Sequence, residues 1–245
     1  MIATIAAGKK TYILLHGAWH ASWCWKRVAQ ILMEHGHKVI APDLPGHGKN
    51  TASLVGIDLN TYVDFVATMM QEIASPVTLV GHSMAGIIIS QLAERMPEKV
   101  EKLVYVAAFI PENNHSLADT AKQFGSTGVS TEMLVSAKKN EIALKISPRI
   151  KELFFNQSAE HDAESALALL QTEPLAPFLD HLKISNDKFG RVRKVYVECL
   201  LDKTISIDDQ RKMHVKASCE AVSLNADHSP FFSAVPALVE AISLV

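Results

Sequence analysis

The sequence predicts a doubly wound α/β fold with a mostly parallel sheet and an inserted helical cap, and three observations carry that prediction. Short apolar runs alternate with amphipathic helical patterns over residues 11–110 and again over 193–243, with short connections between them. The strands read as continuous β-branched and aliphatic runs rather than as apolar–polar alternation, which marks strands buried on both faces. Between about 111 and 190 the rhythm breaks into helical patterns and prolines, with no strand to be read. That stretch predicts a cap over the carboxyl edge of the sheet, inserted within a single domain spanning 1–245.

In order along the chain, TYILLHG (11–17) is a short buried strand ended by glycine. WKRVAQILMEHG (25–36) places Val28, Ile31 and Leu32 at helical spacing, with Gly36 as the stop. HKVIAPDLPGHG (37–48) is a strand running into a Pro/Gly loop, and LNTYVDFVATMMQEIA (59–74) is a second helix, started by Asp58 or Asn60. SPVTLV (75–80) is a buried strand that runs directly into a helix through Gly81-His82-Ser83-Met84-Ala85-Gly86, and VEKLVYVAAFI (100–110) is the next strand. In the cap, helical patterns fall at 119–124, 130–145, 148–156 and 160–171. The alternation then resumes with a strand at 193–202, a helix near 207–214, a strand within 217–228 and a terminal helix at 230–243.

Composition narrows the class of function. With 24 basic and 26 acidic residues the net charge is −2, so no strong field points to nucleic acid or an anionic membrane. No apolar run approaches the roughly 18 residues that a membrane span needs. The N-terminal MIATIAAGKK has its lysines after the apolar stretch, the reverse of a secretion signal. Cys24, Cys199 and Cys219 lie far apart without C-x-x-C spacing and predict free thiols in a reducing, cytoplasmic compartment.

The chemistry is concentrated at the strand-to-helix junction. Such a junction must turn sharply, and the turn thrusts its middle residue, Ser83, out at the top of the sheet. A serine hydroxyl is a poor nucleophile until a base takes its proton and a third group orients that base. Small residues at Gly81 and Ala85 are required because strand and helix backbones come close there, and Gly86 adds room. In this arrangement the chain order is nucleophile, acid, base, with the acid after a later strand and the base after the last. Asp202 directly follows VYVECLL and His228 follows EAVSLNAD, both placed by strand pattern. Asp208 and Asp209 belong to the start of the next helix, where acidic side chains meet the helix dipole favourably, and Asp227 is expected to orient its own loop. The other ten histidines lack a matching place; His82 is expected to point away from the site and His47 to lie in a polar loop. His16 and His20 are four apart on a loop without a carboxylate and are expected to be structural, not metal ligands. A tetrahedral oxyanion also needs donors, each worth about 3 kcal/mol. The N–H of Met84 is one, and Ala18, in the loop after the first strand, offers the second.

The segments HGAWHASWCW (16–25), GHSMAG, LLDKTI and ADHSPF together resemble the α/β-hydrolase superfamily over essentially the whole chain. More narrowly they resemble the plant methylesterase and hydroxynitrile lyase group with its bacterial esterase relatives. The resemblance implies an α/β-hydrolase fold, the triad Ser83–Asp202–His228, an oxyanion hole from Ala18 and Met84, and a helical cap enclosing an apolar pocket. Two departures separate the branches. The lyases of the group place a threonine where this chain has Ala18 and a lysine where it has Ser229, so cyanohydrin cleavage is disfavoured and ester hydrolysis preferred.

The cap contributes Phe124, Met133, Leu134, Phe154, Phe155, Leu169, Leu175 and Phe178, most of them expected to pack and a minority to line the pocket. Trp19 or Trp23 is expected to form part of the wall near Ser83. No basic cluster in the cap would hold a charged substrate. The expected activity is a serine carboxylesterase acting on small to medium neutral, hydrophobic esters through an acyl-enzyme, with no cofactor and no metal. The alternatives are a hydroxynitrile lyase or other triad-based reaction, and a slow-turnover ligand receptor. The expected partner is a small-molecule ester, with no nucleic acid and no membrane; a homodimer is left open beside a monomer.

Overall fold

The computed structural model describes residues 8–124 and 128–244. Six strands form one sheet: β1 (Thr11–Leu15), β2 (Lys38–Ile40), β3 (Val77–His82), β4 (Val100–Val106), β8 (Lys194–Cys199) and β9 (Glu220–Leu224). Their order is β2-β1-β3-β4-β8-β9, and every neighbouring pair is parallel. The helices on the two faces are α1 (Lys26–Glu34), α2 (Leu59–Gln71), α3 (Ala85–Arg95), α8 (Ile207–Lys216) and α10 (Val235–Leu244), with the short α9 (Pro230–Ser233) before the last. Within β1, Tyr12 and Leu14 pack with Val28 and Leu32 of α1 and Leu238 of α10, whereas Ile13 and Leu15 pack with Val66 of α2 and Ile88 of α3. Successive strand residues face opposite sides, so a sheet covered on both faces needs apolar residues throughout.

Local signals account for the element boundaries. Asp58 caps α2, accepting from the Thr61 N–H at 2.7 Å while the Thr61 side chain reaches back to the Asp58 N–H. Gly36, at φ +87°, stops α1.

Among the described residues, four α-helices lie in the cap region: α4 (Leu117–Gln123), α5 (Pro148–Phe155), α6 (Glu160–Leu169) and α7 (Ala176–Leu179). The helix expected over 130–145 is not there. Met133–Ser136 (β5) and Glu141–Leu144 (β6) form an antiparallel pair, and Glu173–Pro174 (β7) adds a third short strand. The reason is local: Asn140 takes the left-handed conformation at φ +57°, which ends one helical turn and reverses the chain. Its side-chain amide donates to the carbonyls of Leu54 and Ile57, and its amide oxygen accepts from the Ala176 N–H. The cap is tied to the sheet layer by shared apolar packing and by a bidentate pair from Arg27 of α1 to Asp162 of α6, at 2.6 and 2.7 Å.

At the β3–α3 junction neighbouring backbones approach closely. A methyl group on Gly86 would lie 2.1 Å from the Phe109 carbonyl oxygen, and one on Gly81 would lie 2.8 Å from the Ala85 oxygen. Both obstacles are backbone, which cannot swing aside. Gly86→Ala is therefore expected to destabilise the fold by about 3 kcal/mol or more, read as a fall in the urea midpoint. An unchanged midpoint would mean that the two backbones can separate freely.

Candidate active site

Ser83 stands between β3 and α3 with φ +53°, a left-handed conformation that costs a non-glycine residue about 1–3 kcal/mol. Neighbouring backbone holds it there. Its N–H donates to the Val106 carbonyl, and its carbonyl accepts from the N–H groups of Gly86 and Phe109. The side chain consequently rises from the carboxyl edge of the sheet, where His228 Nε2 lies 3.1 Å from Ser83 Oγ. His228 Nδ1 lies 2.8 Å from Asp202 Oδ2. With Nδ1–H donating to the carboxylate, the Nε2 lone pair faces the serine hydroxyl. The structure thus brings together the three residues singled out from strand order, all three of them buried.

Asp202 is oriented by its own turn. Its Oδ1 accepts from the backbone N–H groups of Thr204 and Ile205, at 2.6 and 2.9 Å, and its Oδ2 also accepts from the Gln210 amide at 3.3 Å. Asp227 takes the other role expected of it: it accepts from Gln157, Ser158, Ser229 and Ser233 and fixes the loop that carries His228. Asp208 and Asp209 sit in the first turn of α8.

The three side chains open onto a cavity of about 480 Å³. Ala18 and Met84, named as oxyanion donors, both border it, and so does Trp19, whereas Trp23 instead stacks on Phe232 and His20. Of the cap residues named from the sequence, Met133, Phe154 and Phe178 reach the cavity; Leu134 and Leu169 are exposed. Leu117, Val129 and Phe109 complete much of an apolar wall, and Lys122 stands at it with an exposed side chain. Among the described residues no cluster of three or more potential metal ligands occurs, and no helix is long and apolar enough to cross a membrane.

Comparison with known proteins agrees with this architecture. A family model described as "Alpha/beta hydrolase family" matches residues 12–241. The chain belongs to that family. It is 34% identical over 239 residues to putative methylesterase 11, chloroplastic, of Arabidopsis thaliana, an alignment covering 93% of this chain but only 61% of that longer relative. It is 30% identical to methylesterase 2 of Arabidopsis thaliana, with 91% of each chain covered. Among solved structures, a pyrethroid hydrolase from Sphingobium faniae JZ-2 superposes with a TM-score of 0.87 at 27% identity, covering 96% of both chains.

Several residues of this alpha/beta hydrolase site escaped the sequence reading. His82 does not point away: its Nε2 lies 2.7 Å from the His228 carbonyl, so it carries the proton there and fixes the backbone of the neighbouring imidazole. Gln210 is fully buried; its amide bonds both the N–H and the carbonyl of Cys199 as well as Asp202. His47 does lie in the loop after β2, but it is fully buried, its Nε2 2.9 Å from Glu173 Oε2 and off the line of a good hydrogen bond. None of these announces itself in sequence, because each partner is remote along the chain or a backbone atom.

Buried imidazoles dominate the electrostatics. Burial pushes His16 down to about 3 and His20 down to about 4, and it drives His82 well below the usual range. His47 goes the other way: burial opposes its charge, but the Glu173 carboxylate outweighs that and raises its pKa. The sign of the effect on stability follows. Below about pH 6.5 the unfolded chain protonates His16, His20 and His82 while the folded chain does not, so stability is lost as pH falls; His47 contributes stability in the acid range and loses it as pH rises. Below that pH His47 is charged in both states and adds no slope, so the three lowered rings set it. Urea unfolding at pH 7, 6, 5 and 4 is expected to show stability dropping by up to about 1.4 kcal/mol per pH unit for each of His16, His20 and His82. A flat profile over that range would contradict neutral burial of these rings.

Proposed function

We propose that the protein is a serine carboxylesterase that hydrolyses small to medium neutral, hydrophobic esters. The observation that carries this reading is the hydrogen-bonded line Ser83–His228–Asp202 at the floor of an apolar cavity, with Ser83 held in the left-handed turn. His228 takes the Ser83 proton as Oγ adds to the ester carbonyl, and Asp202 stabilises the imidazolium that forms. The carbonyl oxygen, now an oxyanion, sits against the N–H groups of Ala18 and Met84. Neither N–H donates to a protein acceptor among the described residues. His228 then protonates the departing alcohol oxygen, and the acyl-enzyme is hydrolysed by water that His228 deprotonates. No step calls for a cofactor or a metal.

The apolar wall supports neutral, hydrophobic substrates, since a charged group against its buried side chains would lose its hydration, and Lys122 at the cavity is turned to solvent. The methylesterase and pyrethroid hydrolase names of the relatives agree with an ester. Ala18 and Ser229 speak against the lyase alternative, for Ala18 lacks the hydroxyl and Ser229 the ammonium that the lyases of the group this chain resembles carry at those two positions. The three unpaired thiols suit a reducing, cytoplasmic setting.

The test is steady-state release of p-nitrophenol from acetate through octanoate esters. The wild type is expected to turn over continuously, and Ser83→Ala to lose about 10⁴-fold or more in kcat. Equal rates in the two proteins would remove Ser83 as nucleophile, and a single stoichiometric burst would favour the receptor alternative.

A further inference from the structure

We infer that Glu173, a buried carboxylate of the cap, is a positioning residue for the loop that carries Ala18. The inference rests on the esterase reading above, in which the Ala18 N–H receives the oxyanion. Trp19, the next residue, is held at φ +62°. A bulky residue stays left-handed only where its surroundings over-determine it, and here those surroundings are the cap. The Trp19 N–H donates to Glu173 Oε2 at 2.9 Å, its carbonyl accepts from the Gln171 N–H at 2.8 Å, and its indole N–H donates to the Ile142 carbonyl at 3.0 Å. The ring rests against Phe154 and Phe178. Among the described residues, every hydrogen bond of Trp19 therefore goes to the cap.

Glu173 is itself anchored by the layer beneath. Its Oε1 accepts from the Tyr62 hydroxyl of α2 at 2.8 Å, and His47 contacts Oε2 from the loop after β2. A single carboxylate thus joins cap, α2, the loop after β2 and the loop after β1. The peptide unit between Ala18 and Trp19 is pinned at both ends: its N–H by Glu173 and its carbonyl by His20 Nδ1 at 2.8 Å. Fixing that plane restricts the rotation available to Ala18 and so aims its N–H. A donor aimed before the reaction stabilises the transition state without reorganisation. Mis-aiming it slows chemistry more than it weakens binding of a neutral ester.

The experiment compares Glu173→Gln, Tyr62→Phe, Ser83→Ala and the wild type on p-nitrophenyl butyrate, with inhibition by an alkyl trifluoromethyl ketone. That ketone takes the serine oxygen at its carbonyl carbon, passes the serine proton to His228 and leaves an oxyanion in the donor pair. A glutamine offers one acceptor where the carboxylate serves two hydrogen-bond donors, Trp19 and Tyr62, and faces the His47 ring. In Glu173→Gln, kcat is expected to fall about 10- to 100-fold with KM within about twofold, and the ketone inhibition constant to rise in step with the fall in kcat. Tyr62→Phe keeps the Trp19 tether and is expected to lose about 2- to 5-fold in kcat. Wild-type kcat and ketone affinity in Glu173→Gln, even with a lowered Tm, would overturn the inference by making Glu173 a purely structural group. A change in KM alone would overturn it too. Where Glu173→Gln does not fold, Tyr62→Phe decides: unaltered kcat and ketone affinity reject the inference. Activity surviving in Ser83→Ala rejects the esterase reading itself and this inference with it. A dead Ser83→Ala beside a fully active Glu173→Gln rejects this inference alone.

Discussion

The left-handed backbone at Ser83 is the constraint on which the rest of the site depends. A residue with a Cβ adopts φ +53° only under compulsion, and the compulsion here comes from the end of β4. Val106 accepts the Ser83 N–H and Phe109 donates to the Ser83 carbonyl, while Ala107 between them is itself left-handed at φ +42°. Two strained turns thus interlock, each supplying the hydrogen bonds that hold the other. The close approach requires that Gly86 lack a side chain, and a Cβ on Gly17 would likewise lie 2.9 Å from the Ser83 Cβ. The glycines before, after and across from the serine are three expressions of one geometric demand.

The charge distribution follows from burying this edge of the sheet under a cap. A solvated site could tolerate charged imidazoles, but an apolar one cannot, so His16, His20 and His82 are neutral and used as dipoles. His16 accepts from the Leu44 N–H, His20 meets the Ala18 carbonyl, and His82 meets the His228 carbonyl. The carboxylates that remain, Asp202, Asp227 and Glu173, are each supplied with at least three partners. A buried carboxylate with fewer would be costly. Around the cavity, polar groups therefore act mainly by aiming other groups.

That division explains what could be read in the sequence. Ser83, Asp202 and His228 were legible because each lies just past a recognisable strand, and strand ends of a parallel sheet converge on one edge. The strands were legible because both faces are buried, which leaves an unbroken apolar run. The cap was legible as an insertion, and α4, α5 and α6 as its helices. The segment 130–145 was not, for its two strands are four residues each and β5 leaves Leu134 and Val135 exposed. Short runs of that kind fit either period. The one local clue was Asn140, a residue tolerant of the left-handed turn between two short apolar runs. Gln210, His82 and Glu173 had no local clue, since their partners lie on other elements.

The misread segment bears on the chemistry more than its size suggests. A helix consumes its own backbone donors and acceptors over its interior, and could not lend them to a neighbouring loop. Short strands are different: the β6–β7 ladder is two residue pairs long, so the backbone at its margins is free to pair elsewhere. Ile142 and Gln171 use that freedom, giving one carbonyl and one N–H to Trp19, and Glu173 adds its carboxylate from the same small sheet. A cap of helices alone would cover the cavity by apolar contact, which resists separation but is poor at defining rotation. Three directed bonds to one residue define it. The small sheet therefore lets the cap over the cavity also set the angle of the backbone beneath it.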